Sequence, residues 1–225
     1  MLINDLCCNV NHVKYVDDTT FTSTSYNLQD KALQHAADQL SEWTKANGMN
    51  LNEKEMVICF ASKKKVDSNL ISSIVINSHP IERVKTFKLL GLVVASDLSW
   101  AAHVDYILGK VARRLYNIIL LSRARVSQAD IVQVYCSIIR SVLEYACPVW
   151  HPGLTKLQTN DIERVQRRCL KFIFPTLSYA EALSTSGLET LAERRDKITR
   201  QLFQEIKDPA HILHNILPKR KNTSS

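Results

Sequence analysis

The sequence predicts an α+β fold, with strands and one helix in its first hundred residues and helices alone after that. Three observations predict it. At residues 13–21, "VKYVDDTTF", two short β-branched and aromatic runs flank an acidic pair. Three more apolar runs follow, "MVICF" (56–60), "SIVIN" (73–77) and "FKLLGLVV" (87–94). From Trp100 onward, apolar residues recur at three- and four-residue spacing and strand-like runs disappear.

Residues 13–16 and 19–23 read as the arms of a β-hairpin with Asp17 and Asp18 at its turn. Asn27 is placed to cap a helix carrying Leu33, Ala36, Leu40 and Trp43, which Gly48 stops. The three apolar runs read as strands, with Lys63, Lys64 and Lys65 in a solvated turn between the first two. Val104, Ile107, Leu108, Val111, Leu115, Ile118 and Ile119 mark one long amphipathic helix. Ser127 with Asp130 has the form of a capping box. It opens a second helix through Ile131, Tyr135, Ile138, Val142 and Leu143, closed by Pro148 and Pro152. A third helix carries Leu157, Ile162, Val165, Cys169 and Ile173 and ends before Pro175. A fourth, after Gly187, carries Leu188, Leu191, Ile198, Leu202 and Ile206, and the tail "PKRKNTSS" is polar. The three tryptophans, Trp43, Trp100 and Trp150, read as core or helix anchors rather than base-stacking platforms.

A chain of 225 residues is long enough for a real core. No apolar run approaches the roughly 20 residues that span a bilayer, and "MLINDLCCNV" has no basic leader, so an intracellular protein is expected. The six cysteines form no CxxC pair, and buried free thiols are the expectation rather than disulfides or a structural zinc. Charge is uneven. Residues 1–100 hold 10 Lys+Arg and 11 Asp+Glu, net −1, while residues 101–225 hold 19 and 11, net +8. A basic second half suggests a polyanionic partner, and a solvated basic surface accounts for the same charge.

An acidic pair at a hairpin tip has two readings. Asp favours turns through its own backbone hydrogen bonding. A rigid turn can also fix a carboxylate for Mg²⁺, which takes one or two carboxylates, water and phosphate oxygens. A two-metal phosphoryl-transfer site needs at least one further carboxylate from elsewhere in the fold.

Tyr15-Val16-Asp17-Asp18 resembles the YxDD motif of reverse transcriptases, and the wider pattern resembles those of non-LTR (LINE-type) retrotransposons. "MLINDL" (1–6) resembles the end of the palm helix before YxDD. "LSEWTKANGMNLNEKEMVICF" (40–60) resembles the next palm helix and strand. "VKTFKLLGLVVASDLSWAAHV" (84–104) resembles the primer-grip hairpin leading into the thumb, and "LEYACPVWHP" and "IERVQRRCLKFIF" resemble the helical region beyond. The resemblance covers nearly the whole chain and implies RNA-directed DNA polymerase chemistry, extending a primer with deoxynucleotides and using Mg²⁺.

By that resemblance Asp17 is a ligand of the catalytic Mg²⁺ and Asp18 supports the site. Tyr15 and Val16 lie near the primer end and incoming nucleotide, and Leu90 and Gly91 form the primer-grip turn. Gly91 is equally explained by a tight backbone bend. Lys54 falls near the palm lysine that acts on the leaving pyrophosphate, although Glu55 follows it and a surface lysine is the plainer reading. Arg113, Arg114, Arg164, Arg167 and Arg168 avoid the apolar stripes of their helices. They are candidates for nucleic-acid backbone contact, or for solvated faces whose stems cover apolar neighbours.

The family's other catalytic Asp, on an upstream palm strand, has no counterpart here, nor have its template-binding fingers. The expected organisation is a partial palm (1–97) with the YVDD and primer-grip-like hairpins, a helical thumb-like region (98–175), and carboxyl-terminal helices with a polar tail (176–225). The expected partners are an RNA template with its DNA primer and the missing amino-terminal part of the polymerase. The isolated chain is expected to be inactive, with weak or absent Mg²⁺ binding. The alternatives are a non-catalytic nucleic-acid-binding remnant, or the product of a decayed element with no role.

Overall fold

The computed structural model describes residues 6–16, 18–24, 31–51, 56–57 and 73–218. They fall into two compact units, Met1–Phe87 with Ala95–Leu98, and Lys88–Val94 with Ser99–Ser225. The fold is mixed α and β, with small two-stranded sheets.

In the first unit β1 (Asn11–Tyr15) and β2 (Asp18–Thr22) pair antiparallel, from Asn11 opposite Thr22 to Tyr15 opposite Asp18. α1 (Ala32–Ala46) begins after Lys31, which makes no side-chain cap; the expected cap Asn27 lies outside the described residues. The helix ends at Gly48, whose φ of +64° suits a residue without Cβ. There Met49 N–H reaches the Thr44 carbonyl and Gly48 N–H the Lys45 carbonyl, at 2.9 and 3.3 Å. β3 (Met56–Val57) pairs parallel with β6 (Arg83–Val84). The rest of the 56–60 run and the lysine cluster lie outside the described residues.

"SIVIN" forms β4 (Val75–Ile76), which turns at Asn77-Ser78 into β5 (His79–Pro80). The Gln34 side chain acts as an extra strand on β4: its amide donates to the Val75 carbonyl at 2.7 Å and accepts from the Val75 N–H at 2.8 Å. The run "FKLLGLVV" is a hairpin rather than one strand. β7 (Thr86–Leu89) and β8 (Leu92–Ala95) pair across Leu90-Gly91, because both turn residues take positive φ.

The second unit has one core, drawn from every main helix. α2 (Ala101–Arg123) buries Val104, Ile107, Val111, Leu115 and Ile118 and packs chiefly on α6 (Lys156–Ile173). α2 ends with Arg125 at φ +57°, in the place a glycine usually takes. The second helix starts as read: Ser127 Oγ accepts from the Asp130 N–H at 3.2 Å. It runs as α3 (Gln128–Tyr135), a wide π turn (Cys136–Arg140) and α4 (Ser141–Glu144).

Its end differs from expectation. The break falls at Tyr145-Ala146, with Ala146 left-handed at φ +48°. Pro148 instead sits inside the first turn of α5 (Cys147–Trp150), where its missing N–H costs no helical bond. The buried Trp150 indole N–H holds the break by donating to the Tyr145 carbonyl at 2.9 Å.

Leu157, assigned to the stripe of α6, is exposed, and Gln166 is fully buried there instead. Gln166 is satisfied on every side. It accepts from Tyr135 Oη at 2.5 Å and donates to Tyr179 Oη at 3.0 Å and to the Glu189 carbonyl at 2.9 Å. An unanticipated α7 (Tyr179–Ser186) lies between α6 and α8 (Leu191–Ile206); Leu188 precedes α8 rather than joining it. Glu163 of α6 ties these elements together. Its carboxylate accepts from the Tyr179 hydroxyl and, at 3.3 Å each, from the Leu191 and Ala192 N–H groups that open α8.

Candidate functional site

The β1–β2 hairpin turns after Tyr15, which faces Asp18 as the last pair of the ladder. Such turns want positive φ, which Asn and Gly accept readily. Val16 takes φ +56°, a strained state for a β-branched residue that costs on the order of 1–2 kcal/mol. Tyr15 and Val16 are exposed, and Asp18 is exposed as the first residue of β2, opposite Tyr15. The hairpin therefore presents Tyr15, Val16 and Asp18 together, exposed, at its turn.

Asp17 and Lys54 lie outside the described residues. Among the described residues no three His, Cys, Asp or Glu side chains gather as a metal site, and Asp18 is the single carboxylate of the hairpin there.

The second candidate group is built around the Leu90-Gly91 turn, at φ +45° and +85°. The Tyr145 hydroxyl donates to the Leu90 carbonyl at 2.9 Å. The Tyr145 ring lies against Gly91 so closely that a Cβ there would sit 3.0 Å from its Cε1. Gly91 is thus required twice, by φ and by space. On the next strand the Val93 N–H donates to His103 Nδ1 at 3.3 Å. His103 is buried among aromatic rings: Trp150 at 5.4 Å, Trp100 at 5.9 Å and Tyr106 at 6.4 Å. Burial pushes its pKa down, so the neutral ring is the form that accepts from Val93. Lys88 of β7 and Lys110 of α2 both stand beside Tyr106, 5.3 and 5.2 Å from its ring centre.

The five arginines differ in their commitments. Arg113 is exposed on α2, whereas Arg114 is half-buried and donates to the Ile138 carbonyl in the π turn at 2.5 Å. On α6, Arg164 pairs with Asp161 at 2.5 Å, Arg167 lies over the Tyr179 ring at 4.9 Å, and Arg168 is exposed. Arg113 and Arg168 make no ion pair among the described residues.

Sequence reasoning did not single out Tyr145, His103, Lys88, Tyr106 or Lys110. A tyrosine or histidine in a helical block carries no local mark of the turn it supports 10 or 55 residues away. Arg195, fully buried on α8, was also missed. Its Nε lies 3.5 Å from His151 Nδ1 and its guanidinium 5.7 Å from the Trp150 ring. Burial pushes its pKa down, opposed by the Glu163 charge.

The chain is distantly similar to a Drosophila melanogaster protein described as a probable RNA-directed DNA polymerase from transposon X-element. The two are 23% identical over 221 aligned residues, and the match covers 92% of this chain. The chain spans 22% of that relative's length. This similarity supports a resemblance to non-LTR reverse transcriptases along almost the whole chain. No family model matches the sequence, and no solved structure matches the fold. Among the described residues no helix is long and apolar enough to cross a membrane.

Proposed function

We propose that this chain is part of an RNA-directed DNA polymerase of a non-LTR (LINE-type) retrotransposon, comprising the palm from the YVDD hairpin onward and a helical thumb-like block. The observation that carries the reading is the 92% of the chain over which the similarity to the X-element protein extends. The exposed hairpin presenting Tyr15, Val16 and Asp18 agrees with it. In this reading Asp17 and Asp18 are the residues that face Mg²⁺, and a further carboxylate comes from another part of the polymerase. Tyr15, Val16, Leu90 and Gly91 lie toward the primer end, with Lys54 toward the leaving pyrophosphate. Arg113 and Arg168 are the arginines best placed to meet phosphates; Arg114, Arg164 and Arg167 already have partners.

By itself the chain binds primer–template without extending it. Two adjacent carboxylates do not replace a complete metal site, and this chemistry rests on placement and charge stabilisation. The test is duplex binding and nucleotide incorporation by purified chain with Mg²⁺. Salt-sensitive binding without incorporation is expected. Incorporation that Asp17→Ala abolishes overturns the inactivity, and no binding near 50 mM salt overturns the nucleic-acid reading, since electrostatic binding is strongest at low salt. The net charge of +8 in residues 101–225 supports a second reading, a nucleic-acid-binding remnant without a catalytic partner. Restored incorporation on adding the upstream part of a related polymerase separates the two.

A further inference from the structure

We propose that Lys88, Tyr106 and Lys110 form a seat for one phosphate group, of the kind a nucleic-acid strand carries. The proposal rests on the nucleic-acid reading above and names a place for that contact which neither the motif nor the five arginines indicate.

Tyr106 and Lys110 stand one turn apart on α2, and Lys88 comes from β7, two residues before the Leu90-Gly91 turn. The tyrosine ring packs against the core of the second unit, which fixes its position. The two ammonium nitrogens lie almost equally far from the ring centre, at 5.3 and 5.2 Å. Both lysines also act on the phenol, Lys88 the more strongly, and hold its pKa below the usual range.

The charge is unbalanced. Two ammonium groups stand beside one neutral phenol, and neither makes an ion pair with a carboxylate among the described residues. The Tyr106 phenol beside them has its own O–H to donate. Two ammonium groups and one O–H donor thus stand beside a single ring. A phosphate meets that need: its unesterified oxygens accept several charge-assisted bonds at once, and its charge offsets the repulsion between the lysines. Because Lys88 and Lys110 come from different elements, an occupied seat also bridges β7 to α2.

The shared chemistry is a phosphate oxyanion, and a strand phosphodiester and free inorganic phosphate are its two sources. The first measurement is the affinity of the full chain for a short DNA duplex between 50 and 200 mM salt. Lys88→Gln and Lys110→Gln each weaken binding about three- to tenfold at low salt. Because both lysines serve one phosphate, the double variant lowers the slope of log K against log salt by about 1 rather than 2. Lys197→Gln, whose lysine pairs with Glu189, leaves affinity and slope unchanged.

The second measurement is the phenolate absorbance titration of wild type minus Tyr106→Phe, which isolates Tyr106. Its midpoint rises when duplex, or inorganic phosphate alone, is added, and comparing these two arms identifies the source. A double variant that binds duplex with unchanged affinity and slope overturns the seat and leaves the nucleic-acid reading intact. A Tyr106 midpoint unmoved by either addition also overturns the seat. Failure of the wild-type chain to bind duplex overturns the nucleic-acid reading, and the inorganic phosphate arm still decides the seat.

Discussion

Tyr145 donates its hydroxyl proton to the carbonyl of Leu90, 55 residues earlier, and its ring fills the space a side chain at Gly91 would need. A left-handed leucine and a glycine thus owe their shared turn to a tyrosine at the break of a distant helix. Gly91→Ala is expected to cost about 1–3 kcal/mol, through its φ of +85° and the contact with Tyr145. Tyr145→Phe keeps the ring and loses one exposed bond, for about 0.5–1 kcal/mol. Urea denaturation of the purified chain checks both. Equal effects of the two changes would contradict the double role of Gly91.

Glu163 holds the start of α8 and the Tyr179 hydroxyl with one carboxylate. Glu163→Gln turns one of the two acceptor oxygens facing these donors into an NH2 donor and removes the charge, and is expected to cost about 2–3 kcal/mol. Tyr179 tests the same contact spectroscopically. Its phenol is pushed up by burial first and by the Glu163 bond second. In the variant it should titrate lower than in wild type, though not at its free value.

Acid should loosen the second unit through its buried imidazoles. His103 and His151 both have folded pKa values lowered by burial from an ordinary 6.5. Below that pH the unfolded chain takes up protons that the folded chain refuses. The stability these groups contribute is complete above about pH 6.5 and is lost as pH falls toward their folded values. The urea midpoint should therefore drop between pH 6.5 and 5. His103→Gln should flatten that drop, each such group contributing a slope of at most about 1.4 kcal/mol per pH unit. A midpoint flat across this window in wild type would refute the assignment.

Thiol labelling should sort the cysteines by environment. Burial pushes Cys147 up to about 11 and Cys169 up to about 12. Both should resist a disulfide reagent at pH 8 until the chain unfolds, while exposed Cys7 reacts at once. Fast labelling of Cys169 in the folded chain would mean that α6 opens locally.

The helical half was the more legible, and its errors have physical causes. Three- and four-residue spacing placed α2 and α6 within a few residues, because their apolar stripes are long and face one core. α7 went unread although its marks are present. Ser178 and Glu181 form a full capping box, and Gly187 closes the helix at φ +65°. Eight residues hold too few apolar positions to show a period. Gln166 could not be placed in the core from sequence, since its acceptability there depends on partners from α3, α7 and the segment before α8. Nor could Arg195, because it lies against Trp150 and against His151, 44 residues away. In the first unit the acidic pair identified the hairpin. What eluded sequence reasoning was that Asp18 would pair as a strand residue and that strain would fall on Val16.

The π turn at Cys136–Arg140 has a consequence for how this stretch of chain is counted. Its buried positions, Ile131, Tyr135, Ile139 and Leu143, repeat every four residues. On a regular α-helix each such step overshoots one turn by about 40°, so the last side chain would be carried about 120° off the first. Underwinding at the wide turn absorbs that phase error, as though one residue had been inserted and kept. Deleting exposed Ser137 would shorten the repeat to four, three and four, which an ordinary helix satisfies. Such a deletion should leave the block folded with its stripe unbroken, and would forfeit the bond by which Arg114 now grips the Ile138 carbonyl.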